Sequence, residues 1–126
     1  MTEKGKPAHA LIPIFDHEGM LSRLMGDLDL ADAILDAFLT ETPRLLENLQ
    51  RLIQAGDAYA AGREAHSIKG AASNVGAERL RRVALEMEKA GDAHNLDFLR
   101  SRIAEMEIQF YEFRKMIEAC NGNVTE

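Results

Sequence analysis

The chain has 126 residues, 46% of them apolar and 29% charged, an ordinary balance for one globular domain. Its 21 acidic and 15 basic residues leave a net charge of −6, which excludes a surface built to hold a phosphate backbone. One cysteine, Cys120, excludes a disulfide framework and a cysteine-rich zinc site, and no apolar run approaches the roughly 20 residues of a membrane span. With no apolar signal core behind Met1, the expectation is a soluble, cytoplasmic single domain.

Residues 1–14 carry Gly5, Pro7 and Pro13 with little periodicity and read as a flexible amino-terminal tail or linker. Asp16 is placed to cap a short helix over 16–25 that buries Met20, Leu21, Leu24 and Met25. Gly26-Asp27 breaks it, and Asp27 or Asp29 caps a long second helix over 28–55, with Leu35, Phe38, Leu45, Leu49 and Leu52 on one face. Pro43 predicts a kink or break near Thr42, because proline lacks the backbone donor and clashes one turn back. Gly56-Asp57 then stops one helix and caps the third, which runs to about Ser73 before an Asn74-Val75-Gly76 turn. A fourth helix over 77–90 buries Leu80, Val83, Ala84, Met87 and Ala90, and Gly91-Asp92 repeats the stop-and-start signal. The last helix, 93–119, has the cleanest stripe: Leu96, Leu99, Ile103, Met106, Phe110, Phe113 and Ile117. Asn121-Gly122 is its expected C-cap, leaving 121–126 as a tail. The expected fold is all-α: an up-and-down antiparallel four-helix bundle with a short extra amino-terminal helix.

The third helix carries the chemistry. Its core stripe is Ala58, Ala61, Ala65, Ile68 and Ala72, and His66 lies about 100° round from it. Gly62, His66, Lys69, Gly70 and Ser73 form a second stripe, with a glycine one turn before the imidazole and another one turn after. Each helical glycine costs roughly 1 kcal/mol relative to alanine, so the pair suggests that bulk is kept away for a partner's backbone. A neutral imidazole is a competent nucleophile, and Lys69 on the same face offers a positive charge to phosphate oxygens. That combination suits phosphoryl transfer. The competing reading is a non-catalytic helical adaptor in which His66 is incidental.

The run Ala65-His66-Ser67-Ile68-Lys69-Gly70-Ala71-Ala72-Ser73-Asn74-Val75-Gly76-Ala77, followed by Leu80 and Met87-Glu88-Lys89-Ala90, resembles the signature of histidine-containing phosphotransfer (HPt) domains. The resemblance spans about 15–118. It implies that His66 is the phosphoacceptor, that Lys69 steadies the phosphoryl group and that Gly70 leaves room for a docking receiver domain. It further implies that Gly76 permits the tight connection between the third and fourth helices, with Ser73 a small packing position. Some members carry a polar amide near the position of Glu88, so no phosphate contact is expected from that turn here. The implied role is a monomeric phosphocarrier of a two-component phosphorelay, served by response-regulator receivers and a hybrid sensor histidine kinase. It would need no cofactor of its own, the magnesium residing on the receiver.

The absent motifs agree with this reading. No Walker-type or other Gly-rich nucleotide loop is present, so autonomous ATP-dependent kinase activity is not expected. Residues 63–89 hold six basic and four acidic side chains, a net +2, against −8 for the remainder. Such a face suits an acidic receiver pocket. His9, His17 and His94 read as surface residues and Cys120 as a lone thiol. Without a Glu-x-x-His pair no metal site is expected, and Asp27, Asp29, Asp32 and Asp36 read as capping and solvating groups.

Overall fold

In the computed structural model, which describes residues 12–125, five helices follow one another: α1 (His17–Arg23), α2 (Leu28–Gln54), α3 (Ala58–Val75), α4 (Glu78–Asp92) and α5 (Leu96–Thr125). No strand occurs among the described residues. Helices α2 to α5 pack in a closed ring, each against its chain neighbour and α5 back against α2, which makes the four-helix bundle. The expected stripes of α3 and α4 are buried in full. On α2 the buried line is Ala31, Phe38, Thr42, Leu46, Leu49 and Ile53, while Leu35, Leu45 and Leu52 are only partly covered. At the centre Phe113 meets Phe15 and Phe38 edge-on, at ring separations of 5.3 and 5.4 Å.

Capping chemistry sets most boundaries. Asp16, Asp27 and Asp57 each accept a hydrogen bond from the backbone N–H three residues on, so Asp27 and not Asp29 starts α2. Helix α3 continues through Val75 and ends at Gly76, whose φ of 75° is left-handed, with Ala77 N–H closing onto the Ala72 carbonyl. Gly91 does not stop α4. The helix continues to Asp92 and turns at His94, which takes a φ of 57° usually left to glycine, and Asn95 caps α5. Helix α1 is also shorter than expected, and Met25, instead of being buried, is 92% exposed.

Three further expectations are corrected. Pro43 does not break α2, which is continuous across it. The carbonyl that its missing N–H leaves free, that of Leu39, accepts a 3.0 Å hydrogen bond from Arg114 of α5. Helix α5 runs through Asn121-Gly122 to Thr125, so this pair is no terminator. At the other end, residues 1–11 of the expected tail lie outside the described residues, but Ile12 and Ile14 do not hang free. Ile14 packs on the core, and the Ile12 carbonyl accepts from Arg79 Nε at 2.6 Å.

Helices α3 and α4 make the most extensive contact in the bundle, and two glycines explain it. A Cβ on Gly62 would stand 2.9 Å from Gly91 Cα and 3.3 Å from the Glu88 carbonyl. The backbones therefore meet with no side chain between them. Gly62→Ala is expected to destabilise the fold by about 1–3 kcal/mol, because α3 and α4 must part to admit a methyl group. Gly70→Ala, with nothing within 4 Å of its Cβ, is expected to be neutral or to stabilise by up to about 1 kcal/mol. Paired urea melts of the two variants distinguish a packing glycine from an open one.

Candidate functional site

The close crossing brings a third group to His66 and Lys69. Glu88, projecting from α4, places Oε2 2.9 Å from His66 Nδ1 and Oε1 2.7 Å from Lys69 Nζ. Its side chain is only 13% exposed, against 55% for His66 and 25% for Lys69. Arg63 approaches the same Oε2 at 3.5 Å while bonding Asp92 at 2.8 Å.

Burial on its own would raise the Glu88 carboxyl. The short contacts from Lys69 and His66, with their charges, outweigh it and hold the group below the usual carboxylate range. An ionised carboxylate offers only lone pairs, so Nδ1 of the imidazole must be the donor. In the neutral ring this places the proton on Nδ1 and the lone pair on Nε2. The side chain is thus anchored at one nitrogen and half in solvent, and the free nitrogen carries the available lone pair.

The stripe read from sequence divides into two kinds of residue. His66, Lys69 and Gly70 stand together at the surface, with open space beside Gly70. Gly62 is buried, and the room it leaves is filled by α4 rather than kept for a partner. Gly76 is buried in the α3–α4 turn, where a Cβ would lie 2.6 Å from the Asp16 carbonyl oxygen. Ser73 uses its backbone, its carbonyl accepting from Arg23 of α1 at 2.9 Å. Glu88 is the residue sequence reasoning undervalues: the polar position on that turn serves there only to set aside a phosphate contact, and its bond to His66, 22 positions away, is not foreseen.

The other candidates stand apart. His94 stacks on Tyr59 at 6.3 Å, His17 lies 5.3 Å from Phe15, and Cys120 is exposed. His9 falls outside the described residues. Among the described residues no three His, Cys, Asp or Glu side chains are grouped to hold a metal ion.

His66 lines none of three clefts among the described residues. One of them is an apolar groove of about 250 Å³ between α2 and α3, lined by Ile34, Phe38, Leu45, Ala71, Asn74 and Val75.

The model of the Hpt domain family matches residues 33–121, most of the chain. The chain belongs to that family. Among solved structures it is similar to histidine-containing phosphotransfer protein B (HptB) from Pseudomonas aeruginosa PAO1. The identity is 30%, over 88% of this chain and 96% of that one, with a TM-score of 0.81. No curated protein matches the sequence. No helix among the described residues is long and apolar enough to cross a membrane.

The charge arrangement makes a titration prediction. A carboxyl whose folded pKa is lowered stabilises the fold fully above its unfolded value and loses that contribution as pH falls through the lowered one. Glu88 is therefore expected to titrate below the other glutamates in carbon-13 NMR and to move upward in Lys69→Ala. A Glu88 carboxyl that titrates with the rest, or ignores the lysine, contradicts the ion pair.

Proposed function

We propose that this chain is a phosphocarrier of a two-component phosphorelay, in which His66 takes a phosphoryl group from a receiver aspartate and passes it to another. The observation that carries this reading is the orientation of the imidazole. Nδ1 is held by Glu88, and Nε2 is left free on a half-exposed ring beside Lys69.

The chemistry is a displacement at phosphorus. The Nε2 lone pair forms the P–N bond as the aspartyl P–O bond breaks and the carboxylate leaves with the bonding pair. Lys69 then turns from Glu88 toward the phosphoryl oxygens, which its flexible stem permits. His66 is half-exposed and lines none of the three clefts described above, so in this reading the partner supplies the enclosure and its magnesium. That favours a protein partner over a small-molecule donor as the natural source. Gly70 leaves room for such a partner, and the apolar groove between α2 and α3 gives it area to bury. The chain acts in this reading as a monomer in the cytoplasm, fed by a hybrid sensor kinase, without a cofactor of its own or autonomous kinase activity. The adaptor reading has no comparable support, because an incidental surface histidine needs no part-buried carboxylate to orient it.

Labelling from a phosphorylated receiver tests the assignment. His66→Gln is expected to abolish the acid-labile, base-stable label, since glutamine lacks the nucleophilic nitrogen. ATP alone should label nothing. Lys69→Ala is expected to retain transfer, slowed on the order of ten- to a hundredfold, from about 1.5–3 kcal/mol of charge-assisted contact. Wild-type label on His66→Gln would move the assignment to another histidine.

Gly70→Gln separates access from chemistry. Its side chain stands one turn from the nucleophile in space that is now open, so it should slow transfer from a receiver while leaving helicity intact. Stopped-flow transfer with unchanged kinetics would show that the receiver does not pass over Gly70.

A further inference from the structure

The carboxylate at position 88 does more than orient a ring. An amide would also accept the Nδ1 hydrogen, yet it would neither bind Lys69 as a counter-ion nor repel a phosphoryl group. In this chain Oε1 is committed to Lys69 at 2.7 Å while Oε2 holds His66 at 2.9 Å. The ammonium that the phosphohistidine requires is thus already paired. The neighbouring cation is no freer, since Arg63 bonds Asp92 at 2.8 Å and stands 3.5 Å from Glu88. Arg63 and Lys69 are balanced by Glu88 and Asp92 before any phosphoryl group arrives.

We propose that Glu88 sets the lifetime of the phosphorylated state, competing with the phosphoryl group for Lys69 and repelling it across the ring. The inference rests on the phosphocarrier reading and concerns its second half, the release. A phosphoryl group on Nε2 brings up to two negative charges to the far side of an imidazole whose near side touches the carboxylate. Only the ring and one hydrogen bond separate the two anions, well inside a Debye length of about 10 Å at 0.1 M salt. The lowered Glu88 carboxyl keeps its charge at neutral pH, so the repulsion is not relieved by protonation. When a receiver carboxylate or water takes the phosphoryl group, its oxygen forms the new P–O bond as the P–N bond breaks and the electron pair returns to Nε2. The Nδ1 hydrogen stays in place, and Lys69 falls back onto Glu88. The same carboxylate therefore orients the ring for acceptance and makes the adduct easy to give up.

The test compares wild type with Glu88→Gln, each phosphorylated by phosphoramidate, which transfers its phosphoryl group to Nε2 and releases ammonia. Lifetimes of phospho-His66 are read by phosphorus-31 NMR at low and high salt. Glu88→Gln is expected to lengthen the lifetime about tenfold at low salt, with the gain shrinking as salt screens the repulsion. Lys69→Gln/Glu88→Gln should gain less over Lys69→Gln than Glu88→Gln gains over wild type, because no ammonium remains to be released. Glu88→Ala should lose more of the acceptance rate than Glu88→Gln, since alanine cannot hold Nδ1. Equal or shorter lifetimes in Glu88→Gln would overturn the inference and leave Glu88 a purely orienting group. Failure of wild type to take phosphate on His66, from phosphoramidate and from phosphorylated receivers alike, would instead bring down the phosphocarrier reading itself.

Discussion

The approach of α3 to α4 is the constraint on which the site depends. Ala58, Ala61, Ala65 and Ala72 keep the facing side of α3 low, and Gly62 meets Gly91 backbone to backbone. A small-residue crossing of this kind forgoes much of the area that larger side chains would bury. What it gains is position. The turn of α4 that carries Glu88 sits directly against Gly62, one helical turn below His66, so the carboxylate reaches both the imidazole and the ammonium. A larger residue at either glycine would hold the carboxylate away from the ring.

The electrostatics follow from that proximity. Exposed ion pairs contribute little, and Arg63 with Asp92 is of that kind. Glu88 differs because its side chain is largely withdrawn from water while both partners reach it from the surface. Its charge therefore acts on His66 and Lys69 with less solvent screening than the neighbouring pairs have. In the proposed reading, orientation of the nucleophile, restraint of the cation and the repulsion felt by the adduct all issue from one side chain. The proposed division of labour follows: this chain brings a held imidazole, and a partner brings the pocket.

The remainder of the bundle serves to hold that face still. Asp16 caps α1 and also receives Gly76 against its backbone, so the start of α1 is tied to the α3–α4 turn. Arg23 adds a bond to the carbonyl of Ser73. On the opposite side, Arg114 answers the carbonyl that Pro43 leaves without a donor, which lets α2 run unbroken beneath the groove beside α3. Each is a long-range bond that satisfies a local backbone need.

The helical plan, the buried stripes of α3 and α4, most of the α5 stripe (Leu96 and Ile103 are only partly covered) and the pairing of His66 with Lys69 were legible in the sequence, because each is a relation within one helix. Three-and-four spacing places side chains on a common face whatever the rest of the chain does. The family signature lay in the same short run, from Ala65 to Ala77. Relations between helices were not legible. Gly62 and Gly91 are ambiguous as letters, since a glycine can open a surface, end a helix or admit another backbone; only the packing of α3 on α4 decided for the last. The effect of Pro43 depended on whether a distant donor could reach Leu39, and Arg114 lies 75 residues away from it. Glu88 belongs to the site for the same reason, brought there by a crossing that no local periodicity encodes. Sequence alone determined which side chains could do the chemistry on one helix, and tertiary structure decided what holds them, because charge and contact act through space rather than along the chain.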